Sequence, residues 1–552
     1  MTANPDSIPR VKWESLIEKR YGNGQFSHRN RSDIEVHPVY GGNREEDEWP
    51  GVYPYTRGVY PIHYQYQSWM DLQIIGYGVA TQLRKRMDLL KEEGGAKGYF
   101  GGEAYNIIFD MPTSQGFDPD HPGVLGSIGD CGVSICKASD FQTLLAGKDL
   151  EKTHISLIIH AGSPAMLGLY LAAAKRMGAD WKKLSGNLTN YIWDHFGHCG
   201  GANFLPRSAY PLAVDVAQFC SDHAPRFNTI TVSEHNICEA GANNVEAVAL
   251  SIATIIALND VCQKAGLSVD KLASRYGFHV RYGEDFFEDI AKTRALRRIY
   301  AKVNKERFGC VKPTAMQARI HGQTAGSLLT VQQPLNNLIR SSLGAMSAVM
   351  AGVNSMTINA YDEALGIPTE EAVTLSLRTS QIIAEETGVK NVTDPLGGSY
   401  YIEELTDKIE KSCMNLIEEI DEQGGLINAI ESGWISDRVA NSSYRWRTEI
   451  ESGDRCLVGV NCYRTDEEDN TKVFQPDPET TRIALEDIKR HREERDSHRC
   501  NEALENLRDR CVALLNGAIP GGVMESLVIA ADADATLGEM QQVMFDVFGR
   551  TR

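Results

Sequence analysis

Seven short stretches of this sequence end in polar residues able to bind groups or move protons. They are Asp110 with Thr113, His160, Asn190, Glu234 to Asn236, His279, His321 with Gln323, and Asn359 to Glu363. A carboxylate can hold hydroxyl groups or take a proton. An imidazole does either near neutral pH, and an amide only exchanges hydrogen bonds. Any one of them alone could equally cap a helix or satisfy a loop. Their recurrence after one apolar run after another is what points to a site.

Those runs are YNIIFDMP (105–112), HISLIIH (154–160), LSGNLTN (184–190), FNTITVS (227–233), ASRYGFHV (273–280), MQARIHGQT (316–324) and SMTINAY (355–361). Helix-like segments lie between them, among them 166–177, 244–265, 285–306 and 334–350. Short apolar runs alternating with longer amphipathic ones predict βα units and a parallel sheet. Seven strands are legible, and the text before Met70 has room for an eighth. The count predicts an α/β fold, a (β/α)8 TIM barrel over 51–405, with an open doubly wound sheet as the alternative. In such a barrel chemistry gathers at the carboxyl ends of the strands, where these polar residues fall. Residues 1–50 read as an extended N-terminal arm with one short helix near 11–20. Residues 406–552 read as a C-terminal helical region, in which 478–517 presents a solvated charged face and the chain closes on an amphipathic helix.

The chain has 552 residues and a formal net charge of −18, which argues against nucleic acid or an anionic membrane as a partner. No apolar stretch is read as approaching the roughly 18 residues of a membrane span, and the N-terminal text has no signal core. A cytoplasmic protein is the expectation. The twelve cysteines contain no CxxC pair and read as reduced, mostly buried thiols. A metal at Cys131 and Cys136 is the weaker reading.

YPYTRGVYP (53–61), FDMPTSQGFDPDHP (109–122), EAGA (239–242), RIHGQTAGSLLT (319–330), NAYDEALGIPTEEA (359–372), DPLGGSYYIEELT (394–406) and VGVN (458–461) together closely resemble the large chain of the methylmalonyl-CoA mutase family. That family includes isobutyryl-CoA and 2-hydroxyisobutyryl-CoA mutases. The resemblance runs in order from about Trp49 to the C-terminus. It implies an isomerase, an intramolecular transferase that rearranges an acyl-CoA skeleton by radical chemistry. Adenosylcobalamin would supply that chemistry while coenzyme A threads the barrel axis. The family's cobalamin motif DxHxxG does not occur in this sequence. The resemblance therefore implies a separate small cobalamin-binding subunit, in a heterotetramer of two large and two small chains.

Position by position, the resemblance places His321 and Gln323 against the corrin and substrate, and Glu239 and Glu363 near the adenosyl group. Tyr60, Pro61 and Arg294 fall at positions associated with the coenzyme A chain. Arg294 would suit a phosphate or equally be a surface charge on its helix. The departures bear on the substrate. Ile74 and Cys199 stand where methylmalonyl-CoA mutase holds its substrate carboxylate with tyrosine and arginine, so a buried anion would lack its partner. Ile108 stands where the hydroxyacyl mutase places an aspartate. Asn236, with His235 beside it, stands where the family has the histidine that donates to the thioester. The expectation is an acyl-CoA mutase for an apolar or bulky acyl group and not methylmalonyl-CoA. A second reading is a non-catalytic barrel subunit that assembles with an active paralogue.

Overall fold

The computed structural model describes residues 9–22, 24, 26–41, 48–98, 101–124, 126–190, 203–465 and 471–551. Eight parallel strands among them form the centre. They are β1 (Met70–Asp71 and Ile74–Ile75), β2 (Ala104–Ile108), β3 (His154–Ile158), β4 (Ser185–Leu188), β5 (Phe227–Asn228 and Ile230–Ser233), β6 (Tyr276–Tyr282), β7 (Arg319–Thr324) and β8 (Ser355–Thr357). Two of them are interrupted, and the interruptions join the ends of the ladder. The first half of β1 pairs with β8 and the second half with β2. The first half of β5 pairs with β4 and the second half with β6. With the remaining pairings also parallel, two five-stranded ladders share β1 and β5, each of which gives one half to each ladder, as in a (β/α)8 barrel.

Each strand is followed by a helix: α1 (Ala80–Glu92), α2 (Ala138–Leu144), α3 (Ser163–Arg176), α4 (Pro206–His223), α5 (Asn244–Lys264), α6 (Phe286–Lys302), α7 (Asn336–Ala351) and α8 (Glu370–Glu386). The eighth strand is β1 itself, and so starts at Met70 and not before it. Helix α5 corrects another expectation. It is long and apolar enough to cross a membrane, yet 83% of its most apolar window is buried within the protein. It packs as a barrel helix, capped by Asn243 in a reciprocal box with Glu246.

The arm contains a helix, Pro9–Tyr21, and a short antiparallel pair, His28–Arg29 with Glu35–Val36. Beyond the barrel the described chain is helical from Tyr400–Glu422 to Leu537–Phe548, and these helices pack against α3, α5 and α6. A buried charge network ties the parts together. Asp394 accepts from Arg57 Nε at 2.7 Å and from Arg294 at 2.5 and 2.6 Å, and Arg294 also reaches Glu403 at 2.7 Å. The cysteines depart from the all-thiol expectation at one pair, since Cys456 and Cys462 form a disulfide. The other described cysteines are free, and all but Cys131 are buried.

Candidate functional site

Neighbouring residues of parallel strands point to the same side of a sheet, so register defines what lines the barrel axis. One row comprises Ile74, Asn106, Ser156, Asn187 and Asn228. The other comprises Met70, Ser355, His321, His279 and Ser233. A barrel interior is ordinarily filled by branched apolar side chains. Here small and polar residues leave an axial cavity of about 730 Å³.

The cavity's amino-end mouth is basic. Arg226, Arg275 and Arg319 line it, each placed immediately before or at the start of a strand. Arg319 donates to the Ser274 carbonyl at 2.8 Å, but none of the three has a carboxylate in ion-pair distance among the described residues. Burial, with the charges of Arg319 and Arg226, pushes the Arg275 guanidinium below its ordinary range. The other two charged residues on this rim, Glu151 and Lys152, are paired with Lys183 and Asp149.

Midway along the axis stand imidazoles. His279 Nε2 meets Gln323 Oε1 at 2.8 Å, and Gln323 Nε2 donates to Asn359 Oδ1 at 2.9 Å. His321 contacts Ser355 Oγ at 2.9 Å and Thr357 Oγ1 at 3.2 Å. His235 stacks on His279 with ring centroids 4.4 Å apart. Burial holds all three neutral: His279 and His321 sit well below their ordinary range, and His235 is pushed down to about 3. These rings can exchange hydrogen bonds but carry no charge near neutral pH. Across the axis Ile158 lines the cavity among Asn106, Ser156, Asn187 and Thr189. Ile74 shares the row of Asn106, and Ile108 is in register with Ile158, which lines the cavity.

At the carboxyl end Glu239 accepts from the Ser327 backbone at 2.7 Å and its hydroxyl at 3.2 Å, with Arg281 at 3.8 Å. Burial pushes the Glu239 carboxyl up, against the pull of Arg281. Gly326 separates Glu239 from Asn359, since a Cβ there would lie 3.4 Å from both side chains. The Asn359 amide nitrogen is buried without a partner. A carboxylate acceptor thus stands near an unsatisfied amide donor.

The structure brings Tyr60 and His321 to the cavity wall and Gln323 into contact with it through His279. Ile74 and Ile108 share the inward register of Asn106 and Ile158 but are not among the residues that line the cavity. Glu239 stands at the carboxyl-end mouth, and Glu363 lies near it in the loop after β8, its carboxylate accepting from Ala360 N at 3.2 Å. Asn236 is half-buried on the short helix Glu234–Glu239, its backbone capped by Ser233 Oγ at 3.0 Å. Cys199 lies outside the described residues. Arg294 is neither in the cavity nor on the surface: it is 1% exposed, and its charge is spent on Asp394 and Glu403.

Sequence reasoning did not single out the three arginines of the amino-end mouth. Their signal was positional, a cation at the start of three successive strands. It also passed over Cys238, whose buried thiol donates to Glu234 at 3.2 Å and is raised well above its ordinary range by burial.

The sequence profile of the family described as methylmalonyl-CoA mutase matches residues 29–550. The large subunit of 2-hydroxyisobutanoyl-CoA mutase from Aquincola tertiaricarbonis is 37% identical over 504 residues, covering 91% of this chain and 88% of its own length. The large subunit of methylmalonyl-CoA mutase from Streptomyces virginiae is 33% identical over 549 residues, covering 98% and 74%. The mitochondrial methylmalonyl-CoA mutase of Homo sapiens is 32% identical over 554 residues, covering 98% and 71%.

Proposed function

The chain belongs to the methylmalonyl-CoA mutase family, and on that premise we propose that it rearranges an acyl-CoA thioester with an apolar or bulky acyl group, using adenosylcobalamin brought by a separate chain. The axial cavity carries this reading. Its one basic mouth suits the phosphates of coenzyme A, because guanidinium groups make paired, charge-assisted bonds to phosphate oxygens. The polar rows suit the amides of the pantetheine arm, which would otherwise be buried without partners. The acyl group would then rest beside the neutral imidazoles, facing Ile158.

The charged side chains lining the cavity all stand at the amino-end rim. Beyond that rim a free carboxylate on the acyl group would meet no uncommitted cation among the described cavity-lining residues, since Arg281 at the carboxyl end is held by Glu284 and Glu239. That cost is several kcal/mol, of the order seen for unpaired buried charges. This is why methylmalonyl-CoA is disfavoured.

When bound, adenosylcobalamin supplies the one-electron chemistry. The carboxyl-end mouth fits its adenosyl group: Glu239 and Glu363 can accept from ribose hydroxyls, and the unsatisfied Asn359 amide can donate to one. His279, His321 and Gln323 orient the thioester and exclude water. A docking surface for the cofactor-bearing chain is supported by the apolar residues around this mouth. Phe287, Val331 and Leu335 are exposed on the segments that follow β6 and β7, Tyr401 packs on Phe287, and Tyr463, 80% exposed, lies beside Gln333.

The test is a substrate panel. The chain, a cognate small cobalamin-binding subunit and adenosylcobalamin are offered isobutyryl-, pivalyl-, 2-hydroxyisobutyryl-, aryl-substituted and methylmalonyl-CoA. Rearrangement of an apolar or bulky acyl group is the expected result. Turnover of methylmalonyl-CoA alone would overturn the pocket assignment. Cobalamin binding without turnover of any acyl-CoA would favour the non-catalytic subunit.

A further inference from the structure

The described cysteines divide by accessibility. Nine are free, and all of these but Cys131 are buried. Burial raises thiols such as Cys136, Cys238 and Cys413 above their ordinary range, which leaves them unreactive. The bridge between Cys456 and Cys462 is the reverse case, since Cys456 is exposed and Cys462 half-buried. A reductant can reach this bridge while the protein stays folded. It spans only six residues, and so short a loop contributes little to the stability of a whole domain. Its effect is local.

The bridge closes the turn 456–462 beside the carboxyl-end mouth. On one side the turn is seated on the segment after β7: Gln333 Nε2 donates to Tyr463 O at 3.1 Å, and Arg340 Nη2 donates to Val458 O at 2.6 Å. On the other, Arg455 lies 3.6 Å from Glu284, which pairs with Arg281, itself 3.8 Å from Glu239. Tyr463 directly follows the bridge. It is 80% exposed and held at φ +50°, a left-handed conformation that a non-glycine residue keeps only where its surroundings impose it. Here they are the bridge before it and the Gln333 contact at its own carbonyl.

We propose that Cys456–Cys462 is a reversible thiol–disulfide exchange site, and that its closed form presents Tyr463 to the cobalamin-bearing chain. This rests on the reading of the carboxyl-end surface as the docking surface. The co-reactant is a dithiol reductant. One of its thiolates attacks the exposed Cys456 sulfur, breaks the S–S bond and expels the Cys462 thiolate, which takes up a proton. The second thiol then displaces Cys456 and closes the reductant's own disulfide. The dithiol is oxidised, and two electrons and two protons pass to the protein, leaving two thiols. With the bridge open, Tyr463 relaxes to extended backbone and its ring leaves the docking surface.

The experiment compares the full chain oxidised with the same chain reduced by dithiothreitol without denaturant, then freed of reductant under nitrogen. Alkylation and mass spectrometry report the state of Cys456 and Cys462. Each form is titrated calorimetrically with a cognate small cobalamin-binding subunit, and separately with coenzyme A. The reduced form should bind the subunit about fivefold or more weakly, as loss of one aromatic interface anchor implies. Reoxidation with diamide should restore the affinity, and coenzyme A should bind both forms equally. Cys456→Ser with Cys462→Ser should match the reduced wild type and ignore dithiothreitol. A bridge that is absent from the oxidised chain, or opens only in denaturant, overturns the exchange site. Equal subunit affinity in the two forms overturns the proposal while leaving the docking reading intact. Loss of coenzyme A affinity on reduction overturns it too, by showing a general loosening of the fold. A chain that binds the subunit in neither form overturns both.

Discussion

Gln323 spans the middle of the site, accepting from one neighbour and donating to another. Its carbonyl oxygen meets His279 Nε2 and its amide donates to Asn359, so it fixes both the tautomer of His279, as a donor at Nε2, and the direction of the Asn359 amide. Gln323→Leu leaves both partners buried and unsatisfied, a penalty of about 1–3 kcal/mol at each. The expected outcome is a ten- to hundredfold loss of turnover with coenzyme A affinity unchanged, read by steady-state kinetics beside direct titration. Unchanged turnover would place Gln323 outside the reaction. Gln323 and His321 were legible in the sequence because a contiguous motif carries them. The arginines of the basic mouth were not, because barrel chemistry is sought at carboxyl ends of strands and these stand at the amino ends. Arg294 looked available because its partners, Asp394 and Glu403, lie 100 and 109 residues away.

Among the elements, the βα alternation was readable wherever a strand held an unbroken run of three or more residues. Strand β1 was not, since its two pieces of two residues each are broken by Leu72 and Gln73. Its place is fixed by non-local pairing: Leu72 N donates to Met356 O at 2.9 Å, and Asn106 Nδ2 donates to Leu72 O at 3.2 Å. A comparable tie holds the arm and the segment after α8 onto the barrel, namely Asp394 between Arg57 and Arg294. Burial alone would raise this carboxyl, but the two guanidinium groups outweigh it and hold it below the ordinary carboxylate range. Asp394→Ala should cost about 3–5 kcal/mol by stranding two buried cations. A depressed folded pKa contributes stability that is present above the unfolded value, about 3.8, and is lost as pH falls through the folded one. The deficit of the variant should therefore be constant from pH 7 to pH 5 and shrink only below about pH 4, as followed by denaturant unfolding. A deficit that closes between pH 7 and pH 5 would show that the pair is not ionised as described.

Across the whole molecule the two mouths have opposite requirements, and this separates their tests. The formal charge is −18, yet unpaired arginines concentrate at one mouth, while exposed Phe287, Val331 and Leu335 lie on the segments that follow β6 and β7 at the other end. Net charge is uninformative here, because the field that captures a polyanionic ligand is local and is focused by the cavity walls. These exposed apolar side chains are unpacked in the isolated chain, which gains nothing from exposing them. Leu335 stands just before α7 and Tyr463 lies beside Gln333, whose amide donates to the Tyr463 carbonyl at 3.1 Å. Replacing both by glutamate puts charge into the proposed docking surface without touching the cavity. Leu335→Glu with Tyr463→Glu should weaken association with the cobalamin-bearing chain at least tenfold, since burying unpaired charge in an interface costs more than about 1.4 kcal/mol. Coenzyme A binding should stay at the wild-type value. If the double variant bound coenzyme A poorly, or kept its partner, the two mouths would not divide the work as the cavity and the exposed surface indicate.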